Sequence, residues 1–581
     1  MFSVMRKLSW YFKEQWLRYT LAIIAIIVSS VLFTIPPMIA GDVIDGIQSN
    51  QLTQASLMKS VWLFVALMVI IYVLSFFWGH ALFGRAILLE RKMRSRLMNH
   101  FMKMTPSFYS RYRTGDLMAR STNDLRAVGA TAGFGILTLI DSTVFMAFII
   151  GIMFIIIDWK LTLATLLPLP IMAYIVQKYG AKIHLRFMEA QTLFSELNNN
   201  TLESIQGVRV IRAFVQEKSD EQRFNDKAEE VFQKNIAVAR LDALFEPTIK
   251  ILVGVSYTIG LGYGAYLIIQ GDITMGQLVA FNVYLGMLIW PMFAMGELIN
   301  VMQRGNASLD RIDNVLRQKA DVKNPEQPID VVRPDNITFQ DITFEYPTAT
   351  MPSLQQINLD IKRGETIGVV GLTGAGKTTL VKQLLKEYPA ADKGELRINQ
   401  VPIERIALEK TRQWIGYVPQ DHILFSKTVK ENILFGNPQA TDADIQQILE
   451  KTALQSDIEN LPDGLNTMVG ESGVTLSGGQ KQRVSLARAL IRDPEILILD
   501  DSLSAVDGKT EANIIDHLKQ ERTNKTTIIV AHRLSAVTHA DQIIVLENGE
   551  ITEHGGHQQL MQERGWYYHQ FLIQQMEEGE N

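Results

Sequence analysis

The sequence predicts two joined parts, a membrane domain of six long helices followed by an α/β domain. Six apolar stretches before residue 304 are each long enough to cross a bilayer. Charge is divided unevenly, because residues 21–83 carry only three charged side chains whereas the chain beyond residue 304 is rich in charge throughout. From residue 337 onward, short β-rich runs alternate with helical ones, a pattern typical of a parallel α/β sheet. A single compact core is excluded, since 581 residues are too many for one domain.

The apolar stretches define the membrane helices. A helix needs about 20 apolar residues to cross ~30 Å of hydrocarbon. In chain order the stretches lie at residues 20–41, 61–83, 134–157, 161–177, 245–269 and 277–301. Lys and Arg number ten in 84–126 and ten in 177–244 but only one in 42–60, so the long loops and both termini are predicted to be cytoplasmic. We therefore expect a multi-pass protein of the cell membrane.

The two long cytoplasmic loops are predicted to be helical. Residues 91–104 and 201–235 show apolar positions at the helical period, with charge between them. If the membrane helices continue into the cytosol, about 20 extra residues on each arm reach roughly 30 Å below the membrane at 1.5 Å per residue. Near the tips, residues 114–116 and 204–207 are each able to end an arm and start a short crosswise helix.

These patterns divide the chain into five segments. Residues 1–19 mix aromatic and basic side chains and are predicted to form an interfacial helix, the alternative being a frayed cytoplasmic tail. Residues 20–303 form the transmembrane domain, and 304–335 are a linker that contains three prolines. Residues 336–575 are predicted to form the α/β domain, and 576–581 a solvated tail.

Composition excludes several classes of function. The chain has no cysteine, which excludes disulfide scaffolds, thiolate metal sites and thiol nucleophiles. The 56 Lys and Arg against 61 Asp and Glu give a net charge of −5, so nucleic acid is not expected as a partner. A signal peptide is also excluded, because the first apolar run is longer than an h-region and similar runs follow it.

A glycine-rich segment follows the strand-like residues 366–370 and opens a helix-like run. Its residues are Gly371, Leu372, Thr373, Gly374, Ala375, Gly376, Lys377 and Thr378, with Thr379 next in the helix. The spacing and context are those of a P-loop, whose backbone N–H groups cradle phosphates at a helix N-terminus. Lys377 is expected to reach the terminal phosphates of a nucleotide, and Thr378 to offer its hydroxyl to Mg²⁺.

A second element of the nucleotide site lies more than a hundred residues further on. The buried strand-like run 496–500 ends in Asp500, a carboxylate suited to Mg²⁺. Alone this signal is weak, because many buried strands end in aspartate. Its position after a P-loop makes Asp500 the predicted metal carboxylate.

Between these elements lie Leu476, Ser477, Gly478, Gly479 and Gln480. On this pentapeptide, with the P-loop and Asp500, the chain resembles the ATP-binding cassette (ABC) transporter family. The resemblance implies that the Ser-Gly-Gly residues contact the γ-phosphate of an ATP held by the opposite subunit. Two nucleotides are then enclosed between two cassettes.

Other positions resemble family motifs one by one, and the resemblance implies a role for each. Tyr346 resembles the aromatic residue that stacks on adenine, although a strand tyrosine alone is more often core. Gln420 resembles the glutamine that touches Mg²⁺ and reports to the membrane helices. Asp507 lies in a segment similar to the D-loop, and His532 resembles the histidine that contacts the γ-phosphate. The resemblance covers the whole chain, since six spans followed by one cassette is the arrangement of an exporter half-transporter, an ATPase coupled to transport.

One residue departs from the family pattern. The family has glutamate after the metal aspartate, where it positions or deprotonates the attacking water, but this chain has Asp501. The loss of one methylene withdraws the carboxylate by more than an ångström, a misplacement that costs ~100-fold in rate. The site on this chain's own P-loop is therefore expected to hydrolyse ATP poorly. The intact Ser477–Gln480 segment is still expected to complete a competent site on a partner that carries the glutamate.

This combination resembles one subunit of the heterodimeric multidrug exporters of Gram-positive bacteria, in particular the BmrC-type subunits of the BmrCD, EfrCD and LmrCD group. The partners implied are a second half-transporter with the glutamate, membrane lipid and a hydrophobic or amphipathic substrate. Three alternatives stay open: a homodimer that uses Asp501 as a sluggish base, a lipid or lipopeptide flippase, and a sensor that binds ATP without cycling. A soluble ABC ATPase is excluded by the six spans.

Polar and aromatic residues in the spans are candidate substrate contacts, because charge within a membrane is costly. The charged candidates are Asp141, Glu246, Lys250 and Glu297, and the aromatic ones are Phe281, Tyr284, Trp290 and Phe293. Glu246 and Lys250 are four residues apart on one helix face, so a structural ion pair is an equally good interpretation. Aromatic residues at helical spacing are more often packing residues.

Overall fold

The computed structural model describes residues 3–347, 349, 351–470 and 476–579. The chain divides into two compact units. The first unit comprises Met1–Asn99 and Gly115–Arg317, and the second comprises His100–Thr114 and Gln318–Asn581. The tip of the first long loop therefore belongs to the second unit.

The first unit consists of helices. Within the described residues six helical segments are long and apolar enough to cross a membrane, namely Trp16–Gln48, Gln54–Phe101, Thr114–Ile157, Trp159–Gln206, Glu217–Gln270 and Met275–Leu316. The six predicted spans are confirmed. The segments have 33 to 54 residues each, far more than a bilayer requires, which confirms the predicted extension of the helices into the cytosol.

Several of these spans are interrupted, and short helices join them. The helices of the membrane half are Ser3–Lys7, Ser9–Glu14, Trp16–Phe33, Ile35–Gln48, Gln54–Phe101, Pro106–Arg111, Thr114–Ala119, Leu125–Ala132, Phe134–Ile140, Met146–Ile152, Trp159–Leu166, Pro168–Gln206, Val208–Ala213, Glu217–Asp242, Phe245–Gln270, Met275–Met287 and Ile289–Leu316. The third span also contains the π-helical turns Arg120–Asp124, Asp141–Phe145 and Met153–Ile157. The sixth span ends at Leu316, so residues 304–316 of the predicted linker are helical.

The N-terminal segment packs against the spans. Val4, Leu8 and Tyr11 are fully buried. The Tyr11 hydroxyl donates a hydrogen bond to the carbonyl oxygen of Arg85 at 2.7 Å, and Lys7 forms an ion pair with Asp310. The frayed tail considered as an alternative does not fit this packing.

The first and sixth spans approach each other through glycines. A Cβ atom added to Gly276 would lie 2.0 Å from the carbonyl oxygen of Gly41, so only glycine fits there. Beside this contact the Gly276 amide donates to Oδ1 of Asp45 at 2.7 Å. The contact fixes the two helices at short distance.

The second unit contains the predicted α/β domain. Its strands are β1 (Asn336–Phe344), β2 (Leu354–Lys362), β3 (Thr366–Gly371), β4 (Lys393–Ile398), β5 (Val401–Pro402), β6 (Ile415–Val418), β7 (Lys427–Thr428), β8 (Met468–Val469), β9 (Ile496–Asp500), β10 (Thr526–Val530), β11 (Gln542–Glu547) and β12 (Glu550–Gly555). Among the described residues, six strands form the main sheet in the order β12-β11-β3-β10-β9-β6, parallel except for β12. An antiparallel sheet has the order β2-β1-β4-β5, and β7 pairs with β8.

Helices cover this sheet. The α-helices are Lys377–Leu384, Leu408–Trp414, Val429–Leu434, Asp442–Lys451, Gln455–Glu459, Gly478–Leu490, Gly508–Glu521, His557–Glu563 and Trp566–Gly579. Short 3₁₀ turns lie at Ile403–Arg405, Gly464–Asn466 and Leu534–Val537. The last helix includes residues 576–579 of the predicted tail, and residues 580–581 lie outside the described part.

The topology gathers strand ends at one edge. Strands β9 and β10 are buried along their whole length and pair in parallel, with Asp500 opposite Val530. β6 pairs with β9 on its other side, with Val418 opposite Leu499. Because the carboxyl ends of parallel strands meet at one edge, the loops that follow β3, β6, β9 and β10 converge there.

Candidate functional site

The P-loop lies where β3 meets the helix Lys377–Leu384. Gly371, Gly374 and Gly376 have φ angles of 140°, 86° and 102°, values that favour glycine. An added Cβ at Gly371 would lie 2.1 Å from the carbonyl oxygen of Leu546, so the tight turn requires glycine there. The backbone thus curls as phosphate binding requires.

Lys377 lies across the base of this loop. Its ammonium donates to the carbonyl oxygens of Gly371 at 2.8 Å and Leu372 at 2.9 Å. Burial lowers the pKa of Lys377, and the nearby carboxylates of Asp501 and Asp500 oppose that shift. The lysine is held within the loop, where a phosphate would replace the two carbonyl contacts.

Asp500 is nearly inaccessible, at 1% exposure, and both of its oxygens accept hydrogen bonds. The Thr378 hydroxyl donates to Oδ1 at 3.0 Å, and the Tyr417 hydroxyl donates to Oδ2 at 3.2 Å. Burial raises the pKa of Asp500, whereas these two hydrogen bonds lower it. Of the three residues that the sequence predicts for Mg²⁺, the structure joins Thr378 and Asp500 by a hydrogen bond.

The side-chain oxygens of Thr378 and Asp500 are suited to bind a magnesium ion. Mg²⁺ is usually held by one or two carboxylates with phosphates and waters, and it prefers hard oxygen ligands. Thr378 and Asp500 supply such oxygens next to the phosphate loop. Among the described residues there is no group of three or more His, Cys, Asp or Glu able to hold a metal by itself.

Asp501 directly follows β9, at the sheet edge where the loops after the parallel strands converge. Its φ angle is 48°, and its amide donates to the carbonyl oxygen of Val530 at 2.9 Å. Asp501 and His532 line the same small cavity of about 20 Å³, together with Glu511 and Arg533. The main chain at Asp501 is therefore anchored to the neighbouring strand.

Two further predicted residues flank this edge. Gln420 is exposed in the loop between β6 and β7. His532 is also exposed, and its carbonyl oxygen accepts a hydrogen bond from Gln574 at 2.9 Å. Both side chains are accessible to a nucleotide.

Tyr346 is partly buried near the P-loop helix. Its hydroxyl lies 3.0 Å from the Thr379 hydroxyl, and its ring packs edge to face with Tyr388 at 4.9 Å. The structure is compatible with both interpretations of Tyr346, as a core residue and as the residue that stacks on adenine. Its ring contacts the core, and its hydroxyl lies beside the helix that follows the P-loop.

The Ser477–Gln480 segment begins a helix. Ser477 is the N-cap of Gly478–Leu490, its hydroxyl accepting from the Gln480 amide at 3.3 Å while the Gln480 side chain accepts from the Ser477 amide at 2.9 Å. Leu476 is buried and anchors the segment. An added Cβ at Gly479 would lie 2.8 Å from the carbonyl oxygen of Ala505. A capped helix N-terminus suits contact with an anionic phosphate.

The D-loop touches this helix. The Ala505 amide donates to the side-chain oxygen of Gln482 at 3.0 Å. Asp507 caps the helix Gly508–Glu521, accepting from the Thr510 amide at 3.0 Å. That backbone hydrogen bond lowers the pKa of Asp507.

Tyr417 and the Arg533–Glu511 pair also belong to this edge, although their sequence context predicts no role for them. Tyr417 belongs to the strand before Gln420, and only the pairing of β6 with β9 brings it to Asp500. Arg533 forms an ion pair with Glu511 at 3.2 Å. This pair connects the residue after His532 to the helix that follows the D-loop segment. Each of these residues lies close in sequence to one of the motifs, and this proximity is the only feature of the sequence that points to them.

In the membrane unit, Asp141 and Trp290 lie together. The Trp290 indole N–H donates to Oδ2 of Asp141 at 2.9 Å. Asp141 begins a π-helical turn, a feature frequent at functional sites. Trp290 and Phe293 are 49% and 38% exposed, so both present aromatic surface.

The other membrane candidates are engaged elsewhere. Glu246 and Lys250 form an exposed ion pair at 2.7 Å, and Glu297 pairs with Arg304 at 3.2 Å. Phe281 and Tyr284 are fully buried in the helix core, where the Tyr284 hydroxyl donates to the carbonyl oxygen of Thr34. We therefore leave Phe281 and Tyr284 out of the proposed substrate contacts.

Comparison with known families agrees with this geometry. Residues 19–292 match the family model described as ABC transporter transmembrane region. Residues 354–504 match the model described as ABC transporter.

Whole-chain comparisons give the same assignment. The chain is 54% identical over 582 residues to the probable multidrug resistance ABC transporter ATP-binding/permease protein YheI of Bacillus subtilis (strain 168), covering 100% of this chain and 99% of YheI. It is 33% identical to the ATP-dependent lipid A-core flippase of Syntrophus aciditrophicus (strain SB), covering 84% of this chain and 81% of that protein. Its fold matches a bacterial Atm1-family ABC exporter with ATP bound, with a TM-score of 0.79, 24% identity, and coverage of 96% of this chain and 99% of that chain. This chain therefore belongs to the ABC exporter family, as a multi-pass half-transporter with a cytoplasmic ATPase domain.

Proposed function

We propose that this chain is the degenerate-site half of a heterodimeric exporter of amphipathic drugs or other hydrophobic compounds. The observation that carries the proposal is Asp501, which stands directly after the metal carboxylate Asp500 at the end of β9. Similarity to a probable multidrug resistance transporter supports the substrate class.

The anchoring of Asp501 explains the slow site. Its amide donates a hydrogen bond to the carbonyl oxygen of Val530 on the adjacent strand, which opposes a forward shift of the main chain that would compensate for the short side chain. A carboxylate about 1 Å short of its water leaves that water poorly oriented, and an error of this size costs ~100-fold in rate. The contacts of Lys377, Thr378 and Asp500 support the proposal that ATP and Mg²⁺ still bind at this slow site.

The Ser477–Gln480 helix end supplies the other half of a competent site. Its N-terminal amides, capped by Ser477, form an anion-binding end directed at a partner's γ-phosphate. Closure of two cassettes around ATP supplies the differential free energy that switches the membrane pathway outward. Hydrolysis on the partner's P-loop then resets the exporter.

Asp141 with Trp290 is the proposed substrate contact in the spans. The carboxylate and the exposed indole combine charge with aromatic surface, as recognition of a lipophilic cation requires. Phe293 extends the aromatic surface. A flippase is the second candidate function, favoured by similarity to a lipid A-core flippase.

The proposal is tested by Asp501→Glu in this chain expressed without a partner. Restoring the methylene is expected to raise ATP turnover by roughly 100-fold if the short side chain is the cause. Asp516→Glu is the matched control, because it lengthens another acidic side chain of the same domain, exposed on the helix Gly508–Glu521. Unchanged turnover in Asp501→Glu would overturn the degenerate-site assignment.

A further inference from the structure

A cavity of about 290 Å³ opens between the third and sixth spans, and nothing in the proposed transport cycle uses it. Its lining consists of two arginines, one asparagine and three aliphatic residues: Asn123, Arg126, Ala127, Ala130, Val301 and Arg304. Guanidinium groups beside an apolar wall are suited to a ligand that has both an anionic group and a hydrophobic portion.

Close helix packing fixes the walls of this cavity. An added Cβ at Gly305 would lie 1.9 Å from the Thr131 hydroxyl oxygen, and one at Gly135 would lie 2.9 Å from the terminal methyl carbon of Met302. The two spans therefore touch through glycines at positions close to the cavity lining. The arginines therefore project from a rigid frame.

The charges around the cavity do not balance. Arg304 pairs with Glu297 at 3.2 Å, and the carboxylate of Asp124 is engaged by Arg311. Arg126 is exposed, and within the described part of the chain it makes no hydrogen bond or ion pair. One positive charge in the lining is thus left for an external anion.

The sequence places the cavity on the cytoplasmic side of the hydrocarbon, at and just below the layer of lipid headgroups. Arg304 follows the sixth apolar stretch by three residues and Arg126 precedes the third by eight, so at 1.5 Å per residue they stand about 5 Å and 12 Å on the cytoplasmic side of the hydrocarbon. The headgroup layer is about 5–8 Å thick on each side of the membrane. Long arginine side chains bridge the remaining distance by reaching toward the interface.

We propose that this cavity binds the phosphate group of an anionic phospholipid from the cytoplasmic leaflet, held by Arg126 and Arg304. Arginine binds phosphate with charge-assisted, often bidentate hydrogen bonds. Basic pockets between spans on the cytoplasmic side are suited to lipid headgroups. A soluble phosphate ester presents the same group, but the depth of the cavity and its aliphatic wall favour a lipid.

The test is lipid binding by the purified full-length chain in its native dimer, followed by native mass spectrometry. The probes are phosphatidylglycerol, phosphatidylcholine and soluble glycerol 3-phosphate. We expect phosphatidylglycerol to bind more tightly than the other two, and Arg126→Gln and Arg304→Gln each to weaken it about fivefold. Arg126→Lys keeps the charge and is expected to retain most of the binding.

Arg91→Gln is the matched control, because Arg91 is exposed and follows the second apolar stretch by eight residues, at the same depth as Arg126. Unchanged ATP binding shows that each variant is folded. Equal binding of the two lipids, a preference that survives both glutamine variants, or an equal loss in Arg91→Gln would overturn the proposal. Glycerol 3-phosphate that displaces phosphatidylglycerol at equal concentration would overturn the assignment to lipid.

Discussion

The hydroxyl of Tyr417 lies 3.2 Å from Oδ2 of Asp500 and donates a hydrogen bond to it. Tyr417 belongs to β6, whose next loop carries Gln420, and Asp500 ends the neighbouring strand β9. Asp500, the predicted metal carboxylate, is therefore hydrogen-bonded to the strand that leads into the loop of Gln420. A shift of either strand changes the geometry of the nucleotide site.

The first prediction concerns this hydrogen bond. Tyr417→Phe removes only the hydroxyl, so Asp500 loses one of two donors and orients Mg²⁺ less well. A hydrogen bond to a charged group contributes about 1.5–3 kcal/mol, so Mg²⁺-dependent ATP binding is expected to weaken about tenfold. Binding of a fluorescent ATP analogue with and without Mg²⁺ measures this. Tyr388→Phe is the control, and equal loss in both variants would show a general packing effect instead.

A second prediction separates the two roles of Ser477. Ser477→Ala removes the N-cap, which costs about 1 kcal/mol of stability, whereas Ser477→Asp keeps a good cap and adds a negative charge toward the partner's phosphate. Both variants are expected to lower ATPase activity of the paired transporter, with the aspartate variant stable but least active. ATPase assays with thermal unfolding test this. An aspartate variant with full activity would contradict the role of Ser477 toward the partner's ATP.

The third prediction concerns Asp141 and Trp290. Asp141→Asn keeps an acceptor for the indole N–H but removes the charge. The concentration of a cationic dye that half-saturates efflux is expected to rise about tenfold, and that of a neutral amphipathic dye to stay unchanged. Asp272→Asn, an exposed change in the loop before the sixth span, is the control. A similar shift for both dyes would argue against recognition by charge.

A fourth prediction concerns helix packing. A Cβ in Gly276→Ala would meet the carbonyl oxygen of Gly41 at 2.0 Å, so the backbone has to shift. The free energy of unfolding is expected to fall by about 1–3 kcal/mol. Gly262→Ala is the control, because nothing lies within 4 Å of a Cβ there. Thermal unfolding of the two detergent-purified variants, monitored by size-exclusion chromatography, compares their stability.

The elements that sequence predicts well depend on local physics. The spans follow from the length of apolar runs, and the P-loop follows from glycine spacing between a strand and a helix. Thr378 and Asp500 are far apart in the chain, yet their motifs identify both as metal residues before the sheet brings them within 3.0 Å.

What the sequence does not predict depends on how elements pack. The Tyr417 contact requires the order β10-β9-β6, which no local pattern specifies. Likewise Phe281, Tyr284, Trp290 and Phe293 are equally aromatic in sequence, but packing buries the first two and exposes the others. Helical spacing shows that residues share a face, and only the neighbouring helices decide which face is the core.

The most direct test of the central claim is ATP turnover of this chain alone, with a glutamate-bearing partner, and with that partner's glutamate changed to glutamine. Dye efflux in vesicles is measured on the same samples. We predict turnover and efflux only in the intact pair, and loss of both when the partner's glutamate is removed. Full turnover by this chain alone would show that Asp501 is a competent base and would contradict the heterodimeric account.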